Sequence, residues 1–241
     1  MNDVTDNLPT LDSLRMGYHA LVIGASGAIG QAWVQQLRAD ARCAQVTEVS
    51  RSGPVALDLA DDSSIDRLAQ TLTNTGPLHL VVDATGVLTL NGVGPEKRLE
   101  DLQAAQLQQI MAVNAIGPVL LLRHLWPLMA TAERTIWAKL SARVGSIQDN
   151  HKGGWYAYRA SKAALNQLLQ TAAIELHRRR PELVVAALQP GTVRSALSQP
   201  FVGEHALDPE TAVRRLMSVI DNLSVTGRAH FVDHQGQTIP W

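Results

Sequence analysis

The stretch H-A-L-V-I-G-A-S-G-A-I-G, residues 19–30, decides how this chain folds. Its first half is a short apolar run closed by a glycine, as expected of a strand buried on both faces. Its second half opens directly into Q-A-W-V-Q-Q-L-R, where Ile29, Trp33, Val34 and Leu37 recur at helical spacing. The order is therefore strand, glycine loop, helix. That context gives the glycines a physical purpose, because they permit a tight turn and let a pyrophosphate approach backbone N–H groups at a helix N-terminus. Gly24, Ser26, Gly27, Ile29 and Gly30 are accordingly candidate ligand-binding residues.

The chain on either side repeats the alternation. Residues 45–49 read as a second strand ending in Ser50-Arg51. An acidic residue at such a strand end binds ribose hydroxyls, whereas Ser and Arg suit a 2′-phosphate, so NADP(H) is favoured over NAD(H). Residues 55–59 read as a brief third strand, and residues 63–73 as a helix with Ser63 or Ser64 as N-cap. Residues 78–84 form a fourth strand running through Asp83 and Ala84 into Thr85-Gly86, and residues 135–141 a fifth ending at Ser141. Residues 183–188 form a sixth, ending in Gln189-Pro190-Gly191-Thr192-Val193, and residues 229–233 a last one. Between them lie helical patterns over residues 99–129, about 155–178 and 210–223, the first kinked at Gly117-Pro118.

These elements predict an α/β fold: a single doubly wound (Rossmann) parallel sheet of seven strands with helices on both faces. One dinucleotide-binding domain spans residues 18–241, preceded by a loosely held leader over residues 1–17, which lack a clear period. Right-handed crossovers place the ligand beyond the C-terminal strand ends, where the glycine loop, Ser50-Arg51, Asp83–Gly86, Ser141 and Pro190-Gly191 all fall.

Tyr158 and Lys162 stand four residues apart on the penultimate helical pattern and so share one face. An ammonium beside a phenol stabilises phenolate and lowers the tyrosine pKa, which makes the tyrosine a candidate general acid/base. Asn114 lies in an apolar helical run just before the kink, where its amide needs a partner; burying it without one costs about 1–3 kcal/mol.

Composition narrows the function classes. With 241 residues, 46% of them hydrophobic, and a formal net charge of -1, the chain has enough apolar content for a sizeable core and no basic excess. A nucleic-acid or acidic-membrane partner is disfavoured. Lone Cys43 precludes an internal disulfide, and neither Cys nor His124 and His151 have companions at metal-ligand spacing, so no metal is expected. Residues 1–15 are acidic and polar and no membrane-length apolar run occurs, which predicts a soluble, cytoplasmic protein.

Taken in order, the glycine loop, Asp58-Leu59, N-A-I-G from Asn114, Tyr158 with Lys162, and Pro190-Gly191 resemble the short-chain dehydrogenase/reductase family over nearly the whole chain from His19. Within it the sequence is similar to C-factor and sniffer-type carbonyl reductases in P-E-K-R-L-E (residues 95–100), R-V-G-S-I (143–147), G-G-W-Y-A-Y-R-A-S-K-A-A-L-N (153–166) and the final I-P-W. The resemblance implies hydride transfer between NADP(H) and a small carbonyl or alcohol substrate, with Tyr158 exchanging the proton. Lys162 would lower its pKa and hold the nicotinamide ribose, and Asn114 would support a water-linked relay to Lys162. Asp58 and Leu59 would border the adenine, Ala84, Thr85 and Gly86 would lie along the cofactor, and Pro190, Gly191 and Val193 would flank the nicotinamide. A homodimer or homotetramer formed through the two long helices is also implied.

Three positions depart from the family pattern. Ala28 replaces a glycine while Gly27 sits one place earlier, and D-A-T-G from Asp83 replaces N-N-A-G. The usual Ser-Ser pair is Ser141-Ala142, which leaves Ser141, Ser146 or neither to support Tyr158. The Ala142 and Asp83 departures motivate an alternative, a regulatory or signalling protein that binds NADP(H) with degraded catalysis. The substrate would be set by residues 87–98, 144–155 and 192–207, whose sequence does not identify it.

Overall fold

A computed structural model describes residues 9–53, 56–198 and 206–241. Residues 1–8 of the expected leader, Val55 of the expected third strand and residues 199–205 of the expected substrate loop lie outside the described residues.

Apolar runs interrupted by amphipathic helices give the chain order β1 (Tyr18–Ile23), α1 (Ala28–Ala39), β2 (Cys43–Val49), α2 (Asp62–Leu72) and β3 (Leu80–Asp83). There follow α3 (Ala104–Met111), α4 (Gly117–Leu125), β4 (Thr135–Leu140), α5 (Tyr156–His177), β5 (Leu183–Gln189), α6 (Pro209–Asn222) and β6 (Ala229–Asp233). The strands form one sheet in the order β2-β1-β3-β4-β5-β6, and every neighbouring pair is parallel. Strand alternation divides the core in two. Leu21, Ile23, Val81, Trp137 and Val185 pack on one face with α2, α4 and α5, while Ala20, Val22, Leu80, Ile136 and Val184 pack on the other with α1 and α6. The chain leaves β1 for β2 and returns to β3 on the opposite side, so the crevice between their C-terminal ends is the topological switch point.

The sheet has six strands among the described residues, not the seven predicted. Residues 56–59 contribute only one bridge, between Ser50 and Ala56. Their ladder is cut short because the Asp58 N–H takes the Ser64 hydroxyl at 2.9 Å and Leu57 and Leu59 turn into the core. The helix after them is capped by Asp61, whose carboxylate accepts from the Ser63 N–H at 3.0 Å, rather than by Ser63 or Ser64.

Residues 9–17 are not loosely held. Leu11 and Leu14 are buried with Trp33, Leu37 and α6, the Leu11 N–H donates to Asp40 Oδ2 at 3.0 Å, and the Ser13 N–H donates to Asp221 Oδ1 at 2.8 Å. Too few apolar residues occur there to show a period, yet two suffice to fill the gap between α1 and α6.

The long helical pattern over residues 99–129 is broken into α3, a π-helical turn over Ala112–Ile116, and α4. Pro118 has no N–H to donate, and the wider turn just before it absorbs the missing bond. Residues Ala104–Leu128 are apolar and long enough to span a bilayer by composition, but Leu121, Leu122 and Leu125 are spent on the sheet.

Candidate functional site

At the switch point a cleft of about 250 Å³ is walled by the glycine loop, the end of β2 and the segment after β3. Gly24 adopts φ +83, open to glycine at little cost, and its N–H is tied to Val49 O at 2.8 Å. A side chain at Gly30 would meet Gly24 O at 2.1 Å, so helix and loop can close only around a glycine. Gly27 is the N-cap of α1, without a side-chain cap and with no acidic residue in the first turn. The helix end is thus free of internal competitors for an anion. Ser26, Ser50, Arg51, Asp58, Leu59, Ala84, Thr85 and Gly86 line the same cleft. Arg51 is exposed and has no carboxylate partner among the described residues. Ile29 does not line the cleft and packs against the core instead. These groups match the donor set a 2′-phosphorylated dinucleotide requires: bare helix N–H groups for the pyrophosphate and a guanidinium at the end of β2.

Gly86 joins this cleft to the second half of the site. A methyl group at Gly86 would lie 3.4 Å from Lys162 Nζ and 3.6 Å from Asn114 Oδ1. Lys162 is carried by α5, which begins abruptly: Gly153, Gly154 and Trp155 all have positive φ, and Trp155 sits in the left-handed region at φ 54 and ψ 44. The helix has no local side-chain cap. Glu96, from the loop after β3, supplies one by accepting the Ala157 N–H at 3.2 Å, while its carbonyl accepts the Trp155 N–H. Gly145 lets the turn after β4 press on Lys162, since a side chain there would meet Lys162 Cβ at 2.8 Å.

Lys162 Nζ donates to Leu140 O at 3.0 Å and lies 5.7 Å from the centroid of the Tyr158 ring. Burial, then the nearby Lys139 charge, pull its pKa down to about 7, opposed by Asp83. Tyr158 responds in the direction opposite to the sequence argument, for burial pushes its pKa up to about 12. The ammonium contacts the ring face and a carbonyl rather than the phenol oxygen, so it does not offset desolvation there. Burial therefore favours the protonated form of Tyr158 at neutral pH.

Asn114 obtains direct partners for its buried amide from the neighbouring loop and helix. Its Oδ1 accepts the Val87 N–H at 2.8 Å, and its Nδ2 donates to Val87 O at 2.8 Å and to Ser161 Oγ at 3.1 Å. The side chain clamps the loop after β3 onto the π-helical turn, and none of its bonds reaches Lys162. Both candidate serines are also occupied. Ser141 Oγ donates to Asn166 Oδ1 at 2.6 Å, and Ser146 Oγ contacts Trp241 O at 3.4 Å and accepts the Asp149 N–H at 3.0 Å. Among the described residues no side chain hydrogen-bonds to the Tyr158 hydroxyl. Pro190, Gly191 and Val193 follow β5 at the same sheet edge, outside the cleft walls, with Gly191 at φ +84 against the His234 ring.

Two residues were not foreseen. Glu96 is buried and caps α5 from a distance. Lys139 is fully buried on β4 and pairs with Asp83 on the adjacent β3 at 2.9 Å. The signal for Lys139 was a lysine inside the otherwise apolar strand T-I-W-A-K-L; its partner is visible only once the strands are aligned.

A sequence model of the family described as short chain dehydrogenase matches residues 18–205. The chain is 32% identical over 168 residues to C-signal of Myxococcus xanthus, covering 69% of this chain and 95% of that protein. It is 30% identical over 187 residues to 1-hydroxy-2-glutathionyl-2-methyl-3-butene dehydrogenase of a Rhodococcus species, covering 77% and 78%. In fold it is similar to an NADPH-bound carbonyl reductase from chicken fatty liver, with a TM-score of 0.82, 23% identity and coverage of 95% and 100%.

Proposed function

The chain belongs to the short-chain dehydrogenase family, and from that premise we propose that it is an NADPH-dependent reductase of small aldehydes or ketones. The observation that carries this reading is the meeting at Gly86 of the dinucleotide cleft with Lys162 and Asn114, one helical turn from Tyr158. Bare N–H groups at the start of α1 would hold the pyrophosphate, and Arg51 the 2′-phosphate. When bound, the nicotinamide supplies the hydride that adds to the carbonyl carbon. Tyr158 donates its phenolic proton to the oxygen as the carbon–oxygen double bond becomes a single bond. Lys162, one helical turn along the same face, supplies the proton that restores the phenol. A phenol held protonated until about pH 12 is in the form that reduction consumes.

The test is NADPH consumption by the purified protein against a panel of small aldehydes and ketones, run in parallel with NADH. Turnover favouring NADPH is expected; no turnover on a broad panel would sink the reductase reading. A second reading, an NADP(H)-binding regulatory protein with weak turnover, is favoured by one observation: the Ser141 and Ser146 hydroxyls are engaged away from Tyr158. Loss of an oxyanion donor costs on the order of 10²–10³ in rate. Tight NADPH binding without turnover would decide for it.

We also infer a homodimer or homotetramer built through α4 and α5, supported by Ile116, in the π-helical turn that leads into α4, and Ile174 on α5, both about half exposed. Light scattering on the purified protein would show a dimer or tetramer mass, and a monomer would reject it.

A further inference from the structure

Lys139 and Asp83 are both completely buried, and their side chains lie beside each other across β3 and β4. Lys139 Nζ has three acceptors: Asp83 Oδ1 at 2.9 Å, Thr85 O at 2.7 Å and Thr85 Oγ1 at 2.9 Å. Asp83 Oδ1 also takes the Thr85 N–H at 2.9 Å and the Thr85 hydroxyl. The pair thus grips both backbone polar groups and the side chain of Thr85, which walls the cofactor cleft next to Gly86. Asp83 Oδ2 is buried with no hydrogen-bond partner among the described residues.

A cluster of this kind is a costly way to stabilise a sheet. Desolvating two ions consumes most of their attraction, and well-packed neutral side chains at such places are often as stable or more so. An orphaned carboxylate oxygen adds to the cost. The ion pair is better explained by where it stands, at the strand ends beside Lys162.

We propose that Lys139 is a positioning residue for the reaction: with Asp83 it fixes Thr85 against the cofactor cleft, and its ammonium sets the charge that Lys162 meets. This rests on the reductase reading above. The charged groups facing Lys162 are Lys139 from β4 and Asp83 from β3, with Tyr158 on its own helix. After burial, the Lys139 charge is the larger influence lowering the Lys162 pKa, and Asp83 opposes it. A lysine whose proton is loosened in this way can pass it to Tyr158 and recover another near neutral pH. The burial of Lys139 itself pulls its own proton affinity down while Asp83 holds it up.

The direct test is titration of the lysine side-chain amines by heteronuclear NMR, with Lys162→Gln used to identify the Lys162 signal. In the intact protein Lys162 should titrate near 7. In Lys139→Gln it should rise by about one unit or more, because a like charge is gone and Asp83 is left uncompensated. In the neutral pair Asp83→Asn/Lys139→Gln, which keeps hydrogen-bonding groups, it should rise by less. The limb of the kcat/KM profile assigned to Lys162 should move in the same direction. An unmoved Lys162 titration in the neutral pair would overturn the proposal, as would failure of that pair to fold, since the cluster would then serve stability alone. The titration needs no turnover, so an inactive wild type would sink the reductase reading without touching this readout.

Discussion

Arg51 and Lys162 are the two residues whose charge decides most of what the site can do. Arg51 lines the cleft at the end of β2 without a carboxylate partner among the described residues. Arg51→Ala should weaken NADPH binding by about 1.5–3 kcal/mol, the worth of a charge-assisted bond, and leave NADH binding nearly unchanged. Fluorescence titration with both cofactors measures the ratio directly. Lys162 makes a pH prediction whose sign follows from its lowered pKa. Between about 7 and its ordinary value near 10.5 the unfolded chain binds the proton and the folded chain does not. Stability should therefore rise with pH across that interval, and Lys162→Met should reduce the rise, leaving the part that buried Lys139 contributes. Thermal melts between pH 7 and 10 check it. The pairing of Tyr158 with Lys162 was legible from their spacing alone, but the direction of the Tyr158 shift was not. Spacing gives proximity, while the desolvation that wins is a property of the packed site.

At the scale of elements, the strand–loop–helix over residues 19–30 was readable because periodicity, glycine and chain order agree there. Residues 56–59 misled for a physical reason: their composition is strand-like, yet side-chain acceptors and donors near Ser64 take over the backbone groups a ladder would use. The start of α5 was readable in position but not in cause. Its cap arrives from Glu96, far away in sequence, and no local pattern reveals a remote carboxylate. Glu96→Ala should lower stability by about 1–2 kcal/mol, in the range of a lost N-cap. It should also lower kcat more than it raises KM, because Tyr158 and Lys162 stand on the first two turns of this helix. Denaturant unfolding alongside steady-state kinetics separates the two effects.

For the molecule as a whole, sheet order is what brings distant sequence together: the glycine loop, Ser50-Arg51 and Thr85-Gly86 meet because β1 lies between β2 and β3. That convergence was predictable from the alternation of elements. What was not predictable is that the core extends to residues 9–17, where Leu11 and Leu14 close the gap between α1 and α6. Leu11→Ala should destabilise the fold by about 2–5 kcal/mol, as for other fully buried leucines, and chemical denaturation would show it. A loss under 0.5 kcal/mol would instead mean a segment that does not belong to the core.

The role proposed for Tyr158 is delivery of the proton in a reaction fed by the adjoining dinucleotide cleft. It is tested most directly by Tyr158→Phe, comparing NADPH affinity with the rate of NADPH oxidation on the best carbonyl substrate. Affinity should stay within about threefold of wild type while the rate falls by about 10²–10⁴, the usual worth of a general acid. An unchanged oxidation rate in that variant would rule out Tyr158 as the proton donor.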